Sequence, residues 1–492
     1  MNEHKRLAGL LCSVTSLPSK HGIGDFGPCA YQMIDRLKAN GFSLWQILPL
    51  NPVGYGHSPY QPYSSYAMDE QFISLEMLAS EGLIHDVEGL PVTSHIDYEK
   101  AREYKLPYLR RAFEADRNAS KKIASFQRKE PWVRAFGVFA MFHRRYPMSW
   151  NEWPQEAQDW IKNPRRLCGR DLLDVRFEKW LQMKAYEQWG KLHAYAKKKG
   201  IAIIGDIPFY VGFDSCDVWE HLDTFLINSV TLEPEFIAGV PPDYFSATGQ
   251  RWGNPIYNWD LLKKTDYAFL QERILRASKI YDIIRLDHFR AFDTFWKIPA
   301  SCPTAIDGEW IEPPGYAFFD SLFQKNPALR EKIIAEDLGD LRPEVLTLRD
   351  HYEFPGMNVI EFTFADAELA GKAEWHAENM VAYLGTHDND TMRSYFEHLN
   401  DYDKSRWVEA LDRLGIPQGD VVSRFCAYCM RLPAKWAILS LQDALGLGGE
   451  ARTNVPSTVN SVNWTYRATS MEEIEKGLSS LKPLIVETGR KK

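Results

Sequence analysis

No apolar run in this 492-residue chain is long enough to cross a membrane: the longest, Ala135 to Phe142, has eight residues, where a spanning helix needs about 18. Nor is a signal peptide expected, because Met1 to Lys5 are polar and charged and the apolar stretch after them is soon broken by Ser13 and Pro18. The expected location is the cytoplasm, with no membrane partner. There is no excess of positive charge either. Lys and Arg number 58 against 66 Asp and Glu, for a net charge of −8, and no basic cluster exceeds Lys197 to Lys199. That leaves no positive face for a nucleic-acid partner. Seven cysteines, odd in number and widely scattered, do not make a disulfide framework. Cys426 and Cys429 lie one helical turn apart and read as two small buried residues, since a structural zinc needs four ligands. Glycine and proline, at 31 and 28 positions, are too few for a collagenous or low-complexity chain. Dinucleotide glycine spacing, a phosphate-cradling glycine-lysine loop, a Gly-x-Ser-x-Gly elbow and His-Glu-x-x-His are all missing.

What is present is a globular composition, 45% apolar and 25% charged, with length for about three domains at roughly 150 residues each. Aromatics are plentiful: 16 Trp, 23 Tyr and 26 Phe, several in loop-like contexts such as Tyr60, Tyr63, Trp252, Tyr257 and Trp464. Loop aromatics suit stacking on flat apolar ligand faces, and equally suit ordinary packing. Short apolar runs recur and fit buried parallel strands: Leu7 to Leu11, Leu44 to Leu48, Ile201 to Gly205, Ile283 to Leu286, Lys332 to Ala335, Asn358 to Phe362, Val381 to Thr386 and Trp436 to Leu441. Helical patterns separate several of them, as at Tyr31 to Asn40, where Met33, Ile34 and Leu37 share a face.

This alternation predicts an α/β fold, a (β/α)8 TIM barrel with large helical and loop insertions between strands 2, 3 and 4. Such a barrel takes about 250 residues, so roughly 240 are insertion. On this reading residues 1–492 are a single catalytic barrel carrying two insertion subdomains. The first, 49–200, is largely helical, with a long helix over Leu173 to Lys199; the second, 207–281, is turn-rich and covers the active site.

Barrel enzymes place their chemistry at the C-terminal ends of the strands. There the predicted strands end in Asp206, Asp287, Glu336-Asp337, His387-Asp388 and Gln442-Asp443. Any one such carboxylate could be a helix N-cap; five at one rim suggest a site. Arg285 and Asp287 are two apart on a strand and share a face. The guanidinium should lower the Asp287 pKa and favour a carboxylate nucleophile, a plain salt bridge being the alternative. Glu336 follows Ile333, Ile334 and Ala335, an apolar setting that should raise its pKa for general-acid work. Two carboxyl groups with opposed tuning are what glycosidic-bond cleavage requires. A metal site from His387, Asp388 and Asp287 is the other arrangement these residues permit.

Six segments carry a resemblance: Ser58-Pro59-Tyr60-Gln61, Gly205-Asp206-Ile207-Pro208-Phe209-Tyr210-Val211, Pro242-Asp243-Tyr244-Phe245 through Gln250-Arg251-Trp252-Gly253-Asn254-Pro255, Arg285-Leu286-Asp287-His288-Phe289, Ala335-Glu336-Asp337-Leu338-Gly339 and Gly385-Thr386-His387-Asp388-Asn389-Asp390-Thr391. In order and spacing they resemble the signature of the 4-α-glucanotransferases, also called amylomaltases or disproportionating enzymes, of glycoside hydrolase family 77 in the α-amylase superfamily. The resemblance runs from Leu7 to Trp464, and Val211 stands where amylases have a histidine. It implies transfer of α-1,4-glucan segments from a maltooligosaccharide or starch-type donor to the 4-OH of an acceptor glucan or glucose. It also implies a retaining double displacement that uses no cofactor and no metal. Asp287 would be the nucleophile, Glu336 the acid and base, and Asp388 the stabiliser of the transition state. Asp206, Arg285 and His387 would line the site of the transferred sugar and Tyr60 would stack on it. Gln250 and Trp252 would belong to a covering loop, and Asn463 joins the substrate-binding set. Two segments depart from the family pattern: Ala67-Met68-Asp69-Glu70 replaces Gly-Asn-Pro, and Val455 to Trp464 varies a Pro-Gly-Thr loop. A retaining hydrolase, a non-catalytic glucan binder and a metal-dependent hydrolase are the rival readings.

Overall fold

The computed structural model describes residues 6–242, 246–371 and 376–491. Met1 to Lys5, and Asp243-Tyr244-Phe245 of the signature, lie outside the described residues.

Eight strands form one parallel sheet: β1 (Leu7–Leu11), β2 (Leu44–Gln46), β3 (Ala202–Ile207), β4 (Ile283–Leu286), β5 (Ile333–Ala335), β6 (Gly356–Val359), β7 (Met380–Tyr383) and β8 (Trp436–Ser440). Their order round the sheet is β6-β7-β8-β1-β2-β3-β4-β5. The gap between β5 and β6 is bridged by Ala335 N–H donating to Pro355 O at 3.0 Å, which brings the sheet close to a closed barrel. The β6 strand lies two residues before its expected start at Asn358, because the apolar run from Ile360 to Phe364 is a helix turn that leaves the strand at once. Apolarity does not distinguish strand from helix at this junction, where Phe362 is 54% exposed and the polar Glu361 and Thr363 are buried.

Period-two alternation divides the barrel cleanly. Leu11, Leu44, Ile204, Ile334, Val381 and Ile438 pack together inside it, while their neighbours Leu10, Trp45, Ile203, Ile333, Ala382 and Leu439 pack outward against the helices. The same parity carried two residues beyond Ile204 and Ile334 puts Asp206 and Glu336 on the inner side of the rim, and Arg285 hands it on to Asp287. The site therefore follows from the strand pattern.

Between β2 and β3 the chain is mostly helical, including Tyr98–Ala115, Ala119–Lys129, Val133–Arg145 and Gly169–Lys199. The last begins at Gly169 and not at Leu173, since its first turn is polar and carries no apolar period. It ends at Gly200, whose φ of 76° closes the helix on Ala196 and Lys197 carbonyls. Asp69 and Glu70 are consumed within this region: Asp69 Oδ1 accepts from Gln71 N–H at 2.9 Å, and Glu70 pairs with Arg102 and Arg144.

The turn-rich segment after β3 contains two short strands, Phe236–Val240 and Gln250–Pro255, which join Phe295–Pro299 and Glu309–Ile311 in a four-stranded antiparallel sheet. The last two strands follow β4, so chain beyond residue 281 completes this unit. Glycines and prolines in the first two strands hid them from the sequence pattern. Cys426 and Cys429 lie buried in the helix Val421–Arg431 as free thiols. Among the described residues no helix is long and apolar enough to cross a membrane.

Gly205, in β3 beside Asp206, faces the Tyr281 ring, which a Cβ would meet at 2.1 to 2.4 Å. Tyr281 is itself 4% exposed and has no room to retreat. Gly205→Ala should therefore cost about 1–3 kcal/mol by overpacking, read as a lower midpoint in denaturant unfolding; an unchanged midpoint would show that Tyr281 does not fix this strand.

Candidate active site

Arg285 and Asp206 form the floor of the rim. The Arg285 side chain is 5% exposed and that of Asp206 fully buried. One nitrogen, Arg285 Nη1, donates to Asp206 Oδ1 and Oδ2 at 2.9 and 2.8 Å and to Asp287 Oδ1 at 2.9 Å. Tyr60 O–H donates to Asp206 Oδ2 at 2.8 Å. Tyr60, from the loop after β2, thus joins β3 and β4 in one charge-assisted network.

Main-chain bonds extend the ladder past the strand ends and bring the two candidate catalytic carboxyls to adjacent positions. Asp287 N–H donates to Ile207 O, Glu336 N–H to Leu286 O, and Phe289 N–H to Glu336 O, each at 3.0 Å. His288, directly after Asp287, takes φ 51°, ψ 48°. Its N–H donates to Glu336 Oε2 at 2.6 Å, and Leu338 N–H donates to Glu336 Oε1 at 3.1 Å. Glu336 is oriented at both oxygens by backbone.

Burial pushes Asp287 up to about 7; Arg285 pulls it down, and the nearby Asp206 and Asp388 charges push it up. The expectation that Arg285 alone would lower Asp287 is therefore corrected: loss of hydration and like charge outweigh one guanidinium. Burial likewise pushes Glu336 up to about 8, with Arg285 opposing and Asp287 adding to the rise. Glu336 has no direct bond to Arg285 among its contacts here, whereas Asp287 does, and Asp287 is the first of the two to ionise.

Asp388 stands at the mouth, its side chain 48% exposed, with His387 Nε2 at 3.5 Å from Oδ2. His387 is 5% exposed; burial lowers its pKa, Asp388 opposes this and Arg285 adds to it, so the ring is neutral at neutral pH. Its ring stacks on Tyr60, with centroids 4.9 Å apart and planes 14° apart. Trp464 leans on both rings at 5.8 Å. One face of Tyr60 is thereby occupied by His387.

Trp252 meets His288 edge to face at 4.9 Å and donates from Nε1 to Gln250 Oε1 at 3.1 Å. Gln61 latches this strand to the Tyr60 loop, donating to Trp252 O at 3.1 Å and Asn254 Oδ1 at 2.9 Å. Asn463 is not brought to the carboxyls by any contact. It accepts from Val455 N–H at 3.1 Å and donates to Thr458 O at 3.0 Å, stapling its own loop. Two rim carboxylates also prove structural. Asp337 accepts from Arg349 and from Met357 N–H at 2.7 Å, tying β5 to β6; Asp443 accepts from Met392 N–H at 2.8 Å and Ser440 O–H at 2.7 Å. Among the described residues, no three His, Cys, Asp or Glu side chains are grouped to hold a metal ion.

Two residues went unread in the sequence. Asn454 donates from Nδ2 to Asp388 Oδ1 at 2.6 Å. Arg452 donates to Asp388 O at 2.9 Å and to Asn454 O at 2.8 Å. An Asn and an Arg in a loop after β8 carry no pattern that announces such contacts. A cavity of about 520 Å³, lined by Arg102, His143 and Arg144, opens against the helical insertion and contains none of these carboxyls.

A parallel barrel with two carboxyl groups paired on neighbouring strands at its C-terminal rim has the architecture of a glycosidic-bond-processing enzyme. Residues 12–472 match the family model described as 4-alpha-glucanotransferase, of glycoside hydrolase family 77, and the chain belongs to that family. It is 39% identical over 470 residues to the 4-alpha-glucanotransferase of Aquifex aeolicus (strain VF5), covering 94% of this chain and 95% of the relative. It is 35% identical over 513 residues to the chloroplastic/amyloplastic 4-alpha-glucanotransferase of Solanum tuberosum, covering 99% and 87%. The amylomaltase from Streptococcus agalactiae in complex with acarbose superposes with TM-score 0.92 at 32% identity, over 99% of this chain and all of that one. The amylomaltase from Corynebacterium glutamicum, 17% identical, shares the fold at TM-score 0.77.

Burial makes the folded protein hold the Glu336 proton more tightly than the unfolded chain does. Its stabilising contribution is full below the ordinary glutamate range and drains away as pH climbs toward about 8. Glu336→Gln, which cannot ionise, should raise the unfolding temperature over the parent at about pH 9 and lose that advantage near pH 4. An equal difference at both pH values would contradict the raised pKa.

Proposed function

We propose that this chain transfers α-1,4-glucan segments from a maltooligosaccharide or starch-type donor to the 4-OH of a second glucan or of glucose, by double displacement at Asp287 and Glu336. In the first step the Asp287 carboxylate attacks C1 of the donor sugar, forming a β-glycosyl ester as the C1–O bond to the leaving glucan breaks. Glu336 gives its proton to the departing oxygen. In the second, Glu336 takes the proton from the acceptor 4-OH, whose oxygen attacks C1 and releases Asp287. Asp388 holds sugar hydroxyls and stabilises the oxocarbenium-like charge. The observation that carries this reading is the Arg285 Nη1 shared by Asp206 and Asp287, with Glu336 oriented beside it by backbone donors. It gives the right order of ionisation, an anion at Asp287 while Glu336 keeps a proton.

Transfer, as opposed to hydrolysis, needs an acceptor site that competes with water. The Trp252 strand, latched by Gln61 to the Tyr60 loop, supports a cover formed by residues 207–281. Tyr60, Asp206, Arg285 and His387 line the transferred sugar; Gln250 and Trp252 belong to the cover. Asn463, which staples its own loop, completes the substrate-binding set.

Maltotriose incubated with the protein in the presence of EDTA should yield longer maltooligosaccharides and glucose. Asn at position 287 keeps the volume and removes the nucleophile, so Asp287→Asn should lower that turnover by about 10⁴-fold or more with cooperative unfolding retained. Near-normal turnover in Asp287→Asn would overturn the assignment, and glucose and maltose without a ladder would make the chain a hydrolase on the same frame.

A further inference from the structure

We infer that Asn454 is a positioning residue for the reaction, fixing the Asp388 carboxylate in the orientation the transition state needs. The inference rests on the role proposed above for Asp388. That carboxylate is the most exposed of the three, with 48% of its side chain open, and His387 Nε2 lies 3.5 Å from Oδ2, beyond a good hydrogen bond. A carboxylate so placed turns freely about its last bond unless something holds it. The short contact is Asn454 Nδ2 to Oδ1, at 2.6 Å. Asn454 is 8% exposed, so its amide is a nearly dry donor, and a dry donor to an anion is strong.

The loop is built to keep Asn454 there. Arg452 grips the main chain of both partners, donating to Asp388 O at 2.9 Å and Asn454 O at 2.8 Å. On the other side Val455 N–H is held by Asn463 Oδ1 at 3.1 Å. The segment after β8 is thereby clamped to the segment after β7 by main chain, leaving the Asn454 side chain to set a single torsion of Asp388. Thr386 adds only a bond to the Asp388 main chain, at 3.3 Å. The groups facing Asp388 are thus His387, Asn454, Arg452 through its main-chain contact, and Asp287 and Tyr60 deeper in the rim.

The test uses the full chain and maltotriose. Asn454→Ala should lower kcat by about 100-fold, the loss expected for a group misplaced by an ångström, with KM changed little and the unfolding midpoint near the parent's. Asn454→Asp gives a second, independent readout. The introduced acid can donate to Asp388 only while protonated, and once ionised it repels it. The alkaline fall of kcat should therefore begin at lower pH than in the parent, with activity partly recovered on the acid side. A loss that is independent of pH in Asn454→Asp, or a kcat for Asn454→Ala within a few-fold of the parent, would overturn the inference. Asp388→Asn measured alongside separates the two levels. If it loses turnover while Asn454→Ala does not, the positioning role alone fails; if it keeps turnover, the role of Asp388 fails and this inference with it.

Discussion

One buried guanidinium governs this rim. Arg285 Nη1 contacts Asp206 and Asp287 together, and Tyr60 O–H caps Asp206 from the other side. Burying a cation between two carboxylates gains little stability, since desolvation consumes most of the Coulombic return. What it gains is order. Of two half-buried carboxyl groups in one cleft, the one bonded to Arg285 is the one that carries charge, and the other keeps its proton longer because loss of hydration outweighs the downward pull of its two main-chain N–H donors. Removing Arg285 would leave both carboxylates uncompensated, which ties the fold of β3 and β4 to the chemistry above them.

Around that core, the insertions close distances that a bare barrel leaves open. The loop after β2 brings Tyr60 down onto Asp206 and His387; the strand Gln250–Pro255 reaches His288 through Trp252 and is pinned by Gln61. The loop after β8 meets the loop after β7 through Arg452 and Asn454. Each contact joins chain segments far apart in sequence, so the site is rigid by cross-bracing. Strain is kept where it serves: His288 adopts a left-handed backbone that turns its N–H onto Glu336.

The barrel was legible because parallel strands buried on both faces write themselves as apolar runs, whose ends pointed to Asp206, Asp287 and Glu336, and the two-residue spacing put Arg285 on the face of Asp287. The reading faltered where apolarity and strand part company, as at β6 with its immediate helix. It also missed the antiparallel sheet, whose strands carry glycine, proline and charge. Asp337 and Asp443 looked like Glu336 in sequence but serve as struts between strand ends, a distinction that only their partners reveal. Asn463 was placed on substrate by resemblance, and the structure shows its amide spent on its own loop. Asn454 had no signature at all. Nor could spacing show that burial would outweigh Arg285 at Asp287, because a pKa is the balance of every neighbour at once.

The account turns on Asp287, which Arg285 Nη1 contacts directly, ionising before Glu336, which it does not. The most direct measurement is the pH dependence of kcat/KM in the parent with maltotriose, whose leaving glucan needs the Glu336 proton, and in Glu336→Gln with maltotriosyl fluoride, whose leaving group does not. The acid limb should report ionisation of the coupled pair at Asp287 and persist in both proteins. Loss of the alkaline limb in Glu336→Gln, with the acid limb kept, is the predicted result. An alkaline limb that survives the substitution, or an acid limb that vanishes with it, would show that the proton and the charge are held the other way round.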